Sequence, residues 1–330
     1  MTTRYLVTGG MGSLGAPIVH ALLQSGAEVR VLDDQSRGSP RRLTDVRSDI
    51  EVVDGDVRDA TVVQQATQGV ESVIHLAYVN GTSHFYTRPE VVLEVAVKGM
   101  MNLLDACAAA GVGELVLASS SEVYQVAPRI PTDESAPLSI PDPLNPRYSY
   151  GGGKIISELL AINYGRKLFD RVLIFRPHNV YGPDMGQDHV IPQIALRLIE
   201  KSRLIARGPI ELQIQGTGKE TRSFVYIDDL VAGVLAILQQ GQHLNIYHVG
   251  NDQAVAIADL AGMIADCLQR EIRVLPGPAP EGSPHDRCPD ISKLRSLGFS
   301  PRVALSDGLE RTVRWYLEHA EVGSDASGTI

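Results

Sequence analysis

Positive charge is scarce in this chain: 30 lysines and arginines face 39 aspartates and glutamates, a formal net charge of -9 over 330 residues. No basic stripe with interleaved aromatics appears, which argues against general nucleic-acid binding. Anionic small ligands are not excluded, since they need only a few local arginines. Cysteine is scarce too. Cys107, Cys267 and Cys288 lack metal-ligand spacing, and their odd number excludes a fully paired intrachain framework; reduced thiols in a cytoplasmic protein are the simplest account. No apolar run is long enough to span a bilayer, and a core strand begins within about five residues of the N-terminus, so neither a membrane span nor a signal peptide is expected. What is present is 44% hydrophobic content, enough for a proper core. The length exceeds that of one simple domain, so an enlarged domain or two interlocked ones is expected.

The strand-like run Tyr5-Leu6-Val7 leads into Thr8-Gly9-Gly10-Met11-Gly12-Ser13-Leu14-Gly15, and helical spacing of Ile18, Leu22 and Leu23 follows, ending at Ser25-Gly26. A strand, a tight glycine turn and a helix are what a bound pyrophosphate requires, because the backbone can approach the phosphates and amides at the positive helix end meet their charge. Gly9, Gly12, Ser13, Leu14 and Gly15 are therefore candidate cofactor residues. The next strand ends at Asp33, whose carboxylate suits both hydroxyls of an adenosine ribose. It would repel a 2'-phosphate, and Asp34 strengthens that repulsion, so NAD is favoured over NADP, although Arg37 and Arg41 could answer a phosphate.

Helix-like and strand-like segments then alternate: strands at 50–53 and 72–77, a helix over 91–110 and a strand at 114–118. This predicts an α/β, Rossmann-type, doubly wound parallel sheet with ligands at the carboxyl ends of its strands. Asp56 and Val57 lie at one such end, near adenine, and Leu76 and Ala77 at another, near the cofactor's middle. After Phe175 the chain turns richer in loop signals. Residues 1–177 are assigned to the NAD-binding domain, with 228–258 returning to it, residues 178–227 and 259–320 to a smaller, partly interleaved substrate lobe, and 321–330 to a flexible tail. Asp184, Asp188 and His189 are too weak a set for a metal site, and no metal is expected.

Tyr150 and Lys154 are four residues apart and share one helical face. A lysine ammonium there would favour the phenolate and pull the tyrosine pKa down from about 10, letting it take a proton from a sugar hydroxyl as hydride leaves. Ser120, just past its strand, can hydrogen-bond the same oxygen. The intervening Gly151-Gly152-Gly153 is costly in a helix, at roughly 0.8 to 1 kcal/mol per glycine relative to alanine. Either substrate or cofactor approaches closely there, or the helix packs tightly against protein.

These residues resemble the extended short-chain dehydrogenase/reductase superfamily, in particular its nucleotide-sugar epimerases, dehydratases and decarboxylases. The likeness covers nearly the whole chain: the glycine loop, Asp33, Gly55-Asp56-Val57-Arg58-Asp59, His75-Leu76-Ala77, Ser119 to Tyr124, Tyr150 with Lys154, Arg176 to Pro183, Thr221 to Asp229 and Arg287-Cys288-Pro289-Asp290. It implies that Ser120, Tyr150 and Lys154 are catalytic, that Asn179 touches substrate, that Arg222 and Arg287 hold a diphosphate, and that the protein is a homodimer through helices at about 91–110 and 150–164. Three positions depart from the pattern: Ala96 stands for an asparagine, Gln125 for a glycine and Tyr78 for an alanine.

The shared chemistry is oxidation at C4 of the sugar of a nucleotide-diphosphate sugar, reaction of the ketone, and return of the hydride. Glu122 resembles the glutamate of dehydratases and decarboxylases, and Arg147 resembles an arginine of uronate decarboxylases that would face a carboxylate. The segments at 176–183 and 221–224 are similar to GDP-mannose 3,5-epimerases, which carry a cysteine where this chain has Glu122. Ser121 and His178 are further candidates for lining the substrate. Epimerisation is the leading expectation, with dehydration or decarboxylation through Glu122 and Arg147 as the alternative. A non-catalytic NAD-binding regulatory protein is a remote third.

Overall fold

The computed structural model describes residues 3–187, 189–279, 282 and 284–319; the tail assigned to 321–330 and Asp188 lie outside them. The first half comprises β1 (Arg4–Thr8), α1 (Gly15–Gln24), β2 (Glu28–Asp33), β3 (Ile50–Asp54), α2 (Ala60–Thr67), β4 (Ser72–His75), α3 (Thr82–Thr87), α4 (Pro89–Glu94), α5 (Met100–Ala110), β5 (Glu114–Ala118), α6 (Tyr148–Leu168) and β6 (Arg171–Pro177). The second half comprises β7 (Val180–Tyr181), α7 (Val190–Leu204), β8 (Ile210–Gln213), β9 (Thr221–Ser223), β10 (Val225–Tyr226), α8 (Ile227–Gln240), β11 (Asn245–Val249), β12 (Ala254–Ala256), α9 (Ile257–Cys267), β13 (Ile272–Leu275), β14 (Asp286–Arg287), α10 (Ser292–Arg295) and α11 (Leu305–Glu318).

Seven strands form one sheet in the order β11-β6-β5-β4-β1-β2-β3, and every pairing is parallel. Parallel neighbours need crossovers, which cover both sheet faces with helices. The side-chain alternation shows it. Val7, Val31, Ile74 and Val116 pack on one face with Ile18 and Leu22 of α1 and Val234 of α8. Leu6, Leu32, Val73 and Leu115 pack on the other with Val63 of α2, Leu103 of α5 and Ala161 of α6. The strand order reverses between β1 and β4, which opens a crevice at their carboxyl ends.

The helix expected over 91–110 is broken into α4, a π-helical turn at Val95–Gly99, and α5. Two close contacts fall at that turn: Ser157 Oγ donates to the Ala96 carbonyl at 3.2 Å, and a Cβ on Gly99 would stand 2.7 Å from Val57 Cγ2.

After β6 the chain builds three small sheets, β7 with β10, β8 with β13, and β12-β9-β14. Within 228–258, α8 and β11 rejoin the large sheet, β11 pairing with β6, while β12 already pairs with β9. Strand β14 runs parallel to β9 and sets Arg287 beside Arg222. Two arginines far apart in sequence thereby become neighbours. Among the described residues no helix is long and apolar enough to cross a membrane.

Candidate active site

A cavity of about 310 Å³ lies over the carboxyl ends of β1, β4 and β5, lined by Gly9, Gly12, Ser13, Leu14, Gly15, Leu76, Ser120, Ser121, Glu122, Tyr150, Lys154 and Asn179. A narrower one of about 100 Å³ adjoins it at Asp33, Asp34, Asp56, Val57 and Ala77. A third, about 500 Å³, lies beneath the small sheets and is lined by Glu122, Arg147, Asn179, Arg222 and Arg287. All but one of the candidate catalytic, cofactor and substrate residues line one of these spaces. The exception is His178. It is 1% exposed, its ring stands 4.6 Å from that of His248, and it lines none of the three cavities. The expectation that His178 lines the substrate is corrected: it packs behind the site, and burial holds its imidazole well below the ordinary histidine value and so neutral.

The loop geometry dictates its glycines. Gly9 has φ +71°, and a Cβ there would lie 2.8 Å from the Ala77 amide; one on Gly15 would overlap the Gly9 carbonyl. Backbone touching backbone leaves the N-terminal amides of α1 open to the cavity, where a pyrophosphate fits. Asp33 clamps the loop, accepting from Met11 N and Gln35 N at 2.8 Å each, and it borders the narrow cavity where an adenosine ribose would sit. Arg41 pairs with Asp184 at 2.8 Å and lines none of the three cavities. Arg42, which drew no attention in the sequence, also pairs with Asp184, at 2.9 Å, and donates to the Met11 carbonyl at 3.0 Å. Asp184 is thus engaged by arginines.

Ser120 caps the short 3-10 turn Ser121–Val123 and accepts from Glu122 N at 3.2 Å. It also hydrogen-bonds the phenol of Tyr150. Lys154 lies one turn further along α6, 4% exposed. Its Nζ donates to the Ala118 carbonyl at 2.6 Å and stands 3.7 Å from the Tyr78 ring centroid, against 5.9 Å from that of Tyr150. The expected lowering of the tyrosine by this lysine is absent. Burial pushes Tyr150 up to about 12, and the Ser120 hydrogen bond offsets only part of that. Burial brings Lys154 down to about 7, opposed by Glu158. The reason is enclosure: Tyr150 lies between Tyr78 and Phe85, and desolvation of a phenolate there outweighs a charge turned elsewhere.

Glu122 sits where the two larger cavities meet. Burial alone would raise its carboxyl, but the Arg287 guanidinium, whose Nη1 donates to Oε1 at 2.5 Å, and then Arg147 and Arg222 hold it below the usual carboxylate range. Arg222 spends its donors on the carbonyls of Thr221, Pro284 and His285. Arg287 Nη2 and Arg147 Nε are buried with no hydrogen-bond partner, as donors awaiting an anion would be. Asn179, at φ +40°, anchors itself to the Ser223 carbonyl at 2.8 Å and borders both cavities.

A network that sequence reading missed supports this site from behind. Arg176 and Glu158 form an ion pair at 2.6 Å with both side chains 2% exposed. Ser119 donates to Glu158, Arg176 donates to Tyr124, and Tyr124 shares a 2.5 Å hydrogen bond with His248. One signal was present: Glu158 continues the four-residue spacing of Tyr150 and Lys154 along one helical face.

The glycine run packs against protein. A Cβ on Gly151 would overlap Gln125 and approach the Glu122 carbonyl to 2.8 Å, and one on Gly153 would overlap the Tyr78 hydroxyl and stand 2.7 Å from Ala96 Cβ. The partners are the three departures from the family pattern, Gln125, Tyr78 and Ala96. What read as separate anomalies is one local repacking.

A model of the NAD dependent epimerase/dehydratase family matches residues 5–250. A dTDP-4-dehydro-6-deoxy-D-allose reductase from Streptomyces sp is 32% identical over 324 residues, covering 95% of this chain and 96% of that protein. UDP-glucuronic acid decarboxylase 1 of Arabidopsis thaliana is 30% identical over 315 residues, covering 94% and 69% respectively. The crystal structure of DesIV, a dTDP-glucose 4,6-dehydratase from Streptomyces venezuelae with NAD and TYD bound, is 31% identical with a TM-score of 0.86, over 98% of this chain and 99% of that one. Proteins named for three different reactions thus resemble this chain along most of its length, and the loop, Asp33 and the cavity at the β1–β4 crevice suit the NAD that DesIV binds, so the chain belongs to the NAD-dependent epimerase/dehydratase family.

Proposed function

We propose that the protein is a nucleotide-diphosphate sugar epimerase that oxidises C4 of the sugar and returns the hydride to the opposite face. Bound NAD would supply the hydride acceptor. Tyr150, hydrogen-bonded to Ser120, takes the hydroxyl proton and later gives it back. Gly9, Gly12, Ser13, Leu14 and Gly15 hold the pyrophosphate, Asp33 the ribose, with Asp34, Asp56, Val57, Leu76 and Ala77 around the adenosine and the middle of the cofactor. Arg222 and Arg287 take the substrate diphosphate, Asn179 and Ser121 border the sugar, and residues 178–227 and 259–320 form most of the wall that holds it.

The observation that carries this reading is the state of Glu122. Dehydration needs a proton for the departing hydroxyl, and among the described residues Glu122 is the single carboxyl lining the redox cavity; Arg287 holds it ionised. Epimerisation at C4 needs only the tyrosine and room for the ketone to turn. Decarboxylation of a hexuronate is the second reading, favoured by the unpartnered Arg147 Nε and Arg287 Nη2, which would orient a carboxylate whose electrons pass to the C4 ketone as CO2 leaves.

The protein would act in the cytoplasm as a homodimer. Leu93 on α4 and Ile156 and Leu159 on α6 are exposed apolar side chains that a second copy would cover. The test is proton NMR in D2O with NAD and UDP-, GDP-, dTDP- and CDP-linked hexoses and hexuronates. A C4 epimer without incorporated deuterium is the expected product. A pentose establishes the second reading, and a 4-keto-6-deoxy sugar overturns both.

A further inference from the structure

Tyr78 is the departure that the proposed reaction leaves unused, and it stands between the reaction's two key side chains. It follows the end of β4 and lines the cofactor cavity with Gly9, Leu76 and Lys154. Its ring lies 3.7 Å from Lys154 Nζ. It also stands nearly perpendicular to the ring of Tyr150, at 80° and 5.1 Å, while its hydroxyl donates to the Tyr150 carbonyl at 3.3 Å. The room its hydroxyl occupies exists because residue 153 has no side chain.

An ammonium shut away from water needs partners for its charge and its three N–H groups. For Lys154 the Ala118 carbonyl takes one N–H. An aromatic face attracts the charge through its quadrupole but accepts no proton, so it steadies the ammonium while leaving a donor to be aimed into the cavity. The other groups around Lys154 do not do this. Glu158, on its own helix, already pairs with Arg176. His75 from β4 is held neutral, brought down to about 3 by burial and the lysine, and shares its Nδ1 with Thr8 Oγ1. Tyr150 lies further off.

We propose that Tyr78 is a positioning residue for hydride transfer: its ring holds the Lys154 ammonium between the Ala118 carbonyl and the cofactor cavity, and its hydroxyl fixes the helical turn that carries Tyr150. This rests on the reading of Tyr150 and Lys154 as the redox pair, and it makes Gly153 the space Tyr78 requires.

The experiment is a pH titration of the Lys154 Nζ resonance by 15N NMR in the full-length, NAD-loaded protein, the signal being assigned by its loss in Lys154→Met. Tyr78→Leu keeps the apolar bulk and removes the ring, so the midpoint falls by about one pH unit relative to the unaltered protein. Tyr78→Phe keeps the ring, folds without new space to fill, and restores most of that shift. With the reactive sugar nucleotide, the alkaline limb of NADH formation moves in parallel. An unchanged midpoint in Tyr78→Leu, or a Tyr78→Phe midpoint as low as that of Tyr78→Leu, overturns the proposal. The titration does not depend on Tyr150 acting as a base, so a Tyr150→Phe protein that still forms NADH would sink the redox reading separately.

Discussion

Two arginine–glutamate pairs lie within a few residues of the catalytic turn, and they are built to different ends. Arg176–Glu158 is sealed: both side chains are 2% exposed, and Ser119 and Tyr124 take up further hydrogen-bonding capacity. Arg287–Glu122 is open: the side chains keep 11% and 25% of their exposure, the pair borders two cavities, and Arg287 Nη2 has no partner. The first pair has nothing left to offer a ligand. The second keeps a donor and a carboxylate at the place where a sugar would sit. What separates a supporting ion pair from a working one here is unspent hydrogen-bonding capacity facing a cavity.

The largest effect expected from disturbing this contrast is on stability. Arg176→Met leaves the Glu158 carboxylate buried and unpaired, which costs about 3–5 kcal/mol; urea denaturation measures it, and adding Glu158→Leu should recover much of the loss. A fold as stable as the parent would show that the sealed pair supports nothing. Arg287→Met should lower the urea midpoint far less than Arg176→Met while kcat/KM falls roughly a hundredfold, the scale of losing a charge-assisted hydrogen bond to the substrate diphosphate. Steady-state kinetics with the reactive sugar nucleotide would separate the two outcomes.

The open pair also predicts a pH dependence. Glu122 has its carboxyl lowered in the folded protein, so its contribution is fully present above the unfolded value near ~4.3 and is lost as pH falls through the lower folded value. The difference in melting temperature between the parent and Arg287→Met should therefore shrink as pH drops below that window. A difference that stays constant into strong acid would mean Glu122 gains nothing from Arg287.

The smallest effect concerns Gln125, which lies next to both networks. Its φ of +52° is a left-handed conformation that costs a non-glycine residue about 1–2 kcal/mol, and its Nε2 donates to the Glu122 carbonyl at 2.6 Å. Gln125→Gly sheds the strain and the hydrogen bond together and should be close to neutral. Gln125→Ala keeps the strain and loses the hydrogen bond, so it should melt lower by thermal denaturation.

Much of the molecule was readable in one dimension because its rules are local. A glycine loop between a strand and a helix, an aspartate ending the next strand, and a tyrosine and lysine one helical turn apart each depend on residues within a short window. The π-helical turn at 95–99 was not readable, because it goes with contacts from Ser157 and Val57, which lie far along the chain. The roles of His178 and Glu158 were similarly hidden. A histidine beside Asn179 in sequence turned inward against His248, and a glutamate on the exposed-looking continuation of a helix found Arg176.

By itself the sequence determined the family and the parallel sheet with its cofactor crevice, and it nominated Ser120, Tyr150 and Lys154 for the redox step, since these follow from periodicity and motif spacing. Only the tertiary structure decided the charge states around them and the meaning of the departures. Whether Tyr150 is raised or lowered, whether Glu122 is ionised, and why Tyr78, Ala96 and Gln125 occur with Gly151 and Gly153 all depend on burial and on contacts between distant segments. Desolvation and steric exclusion act through space, and a linear pattern carries no record of which surfaces meet.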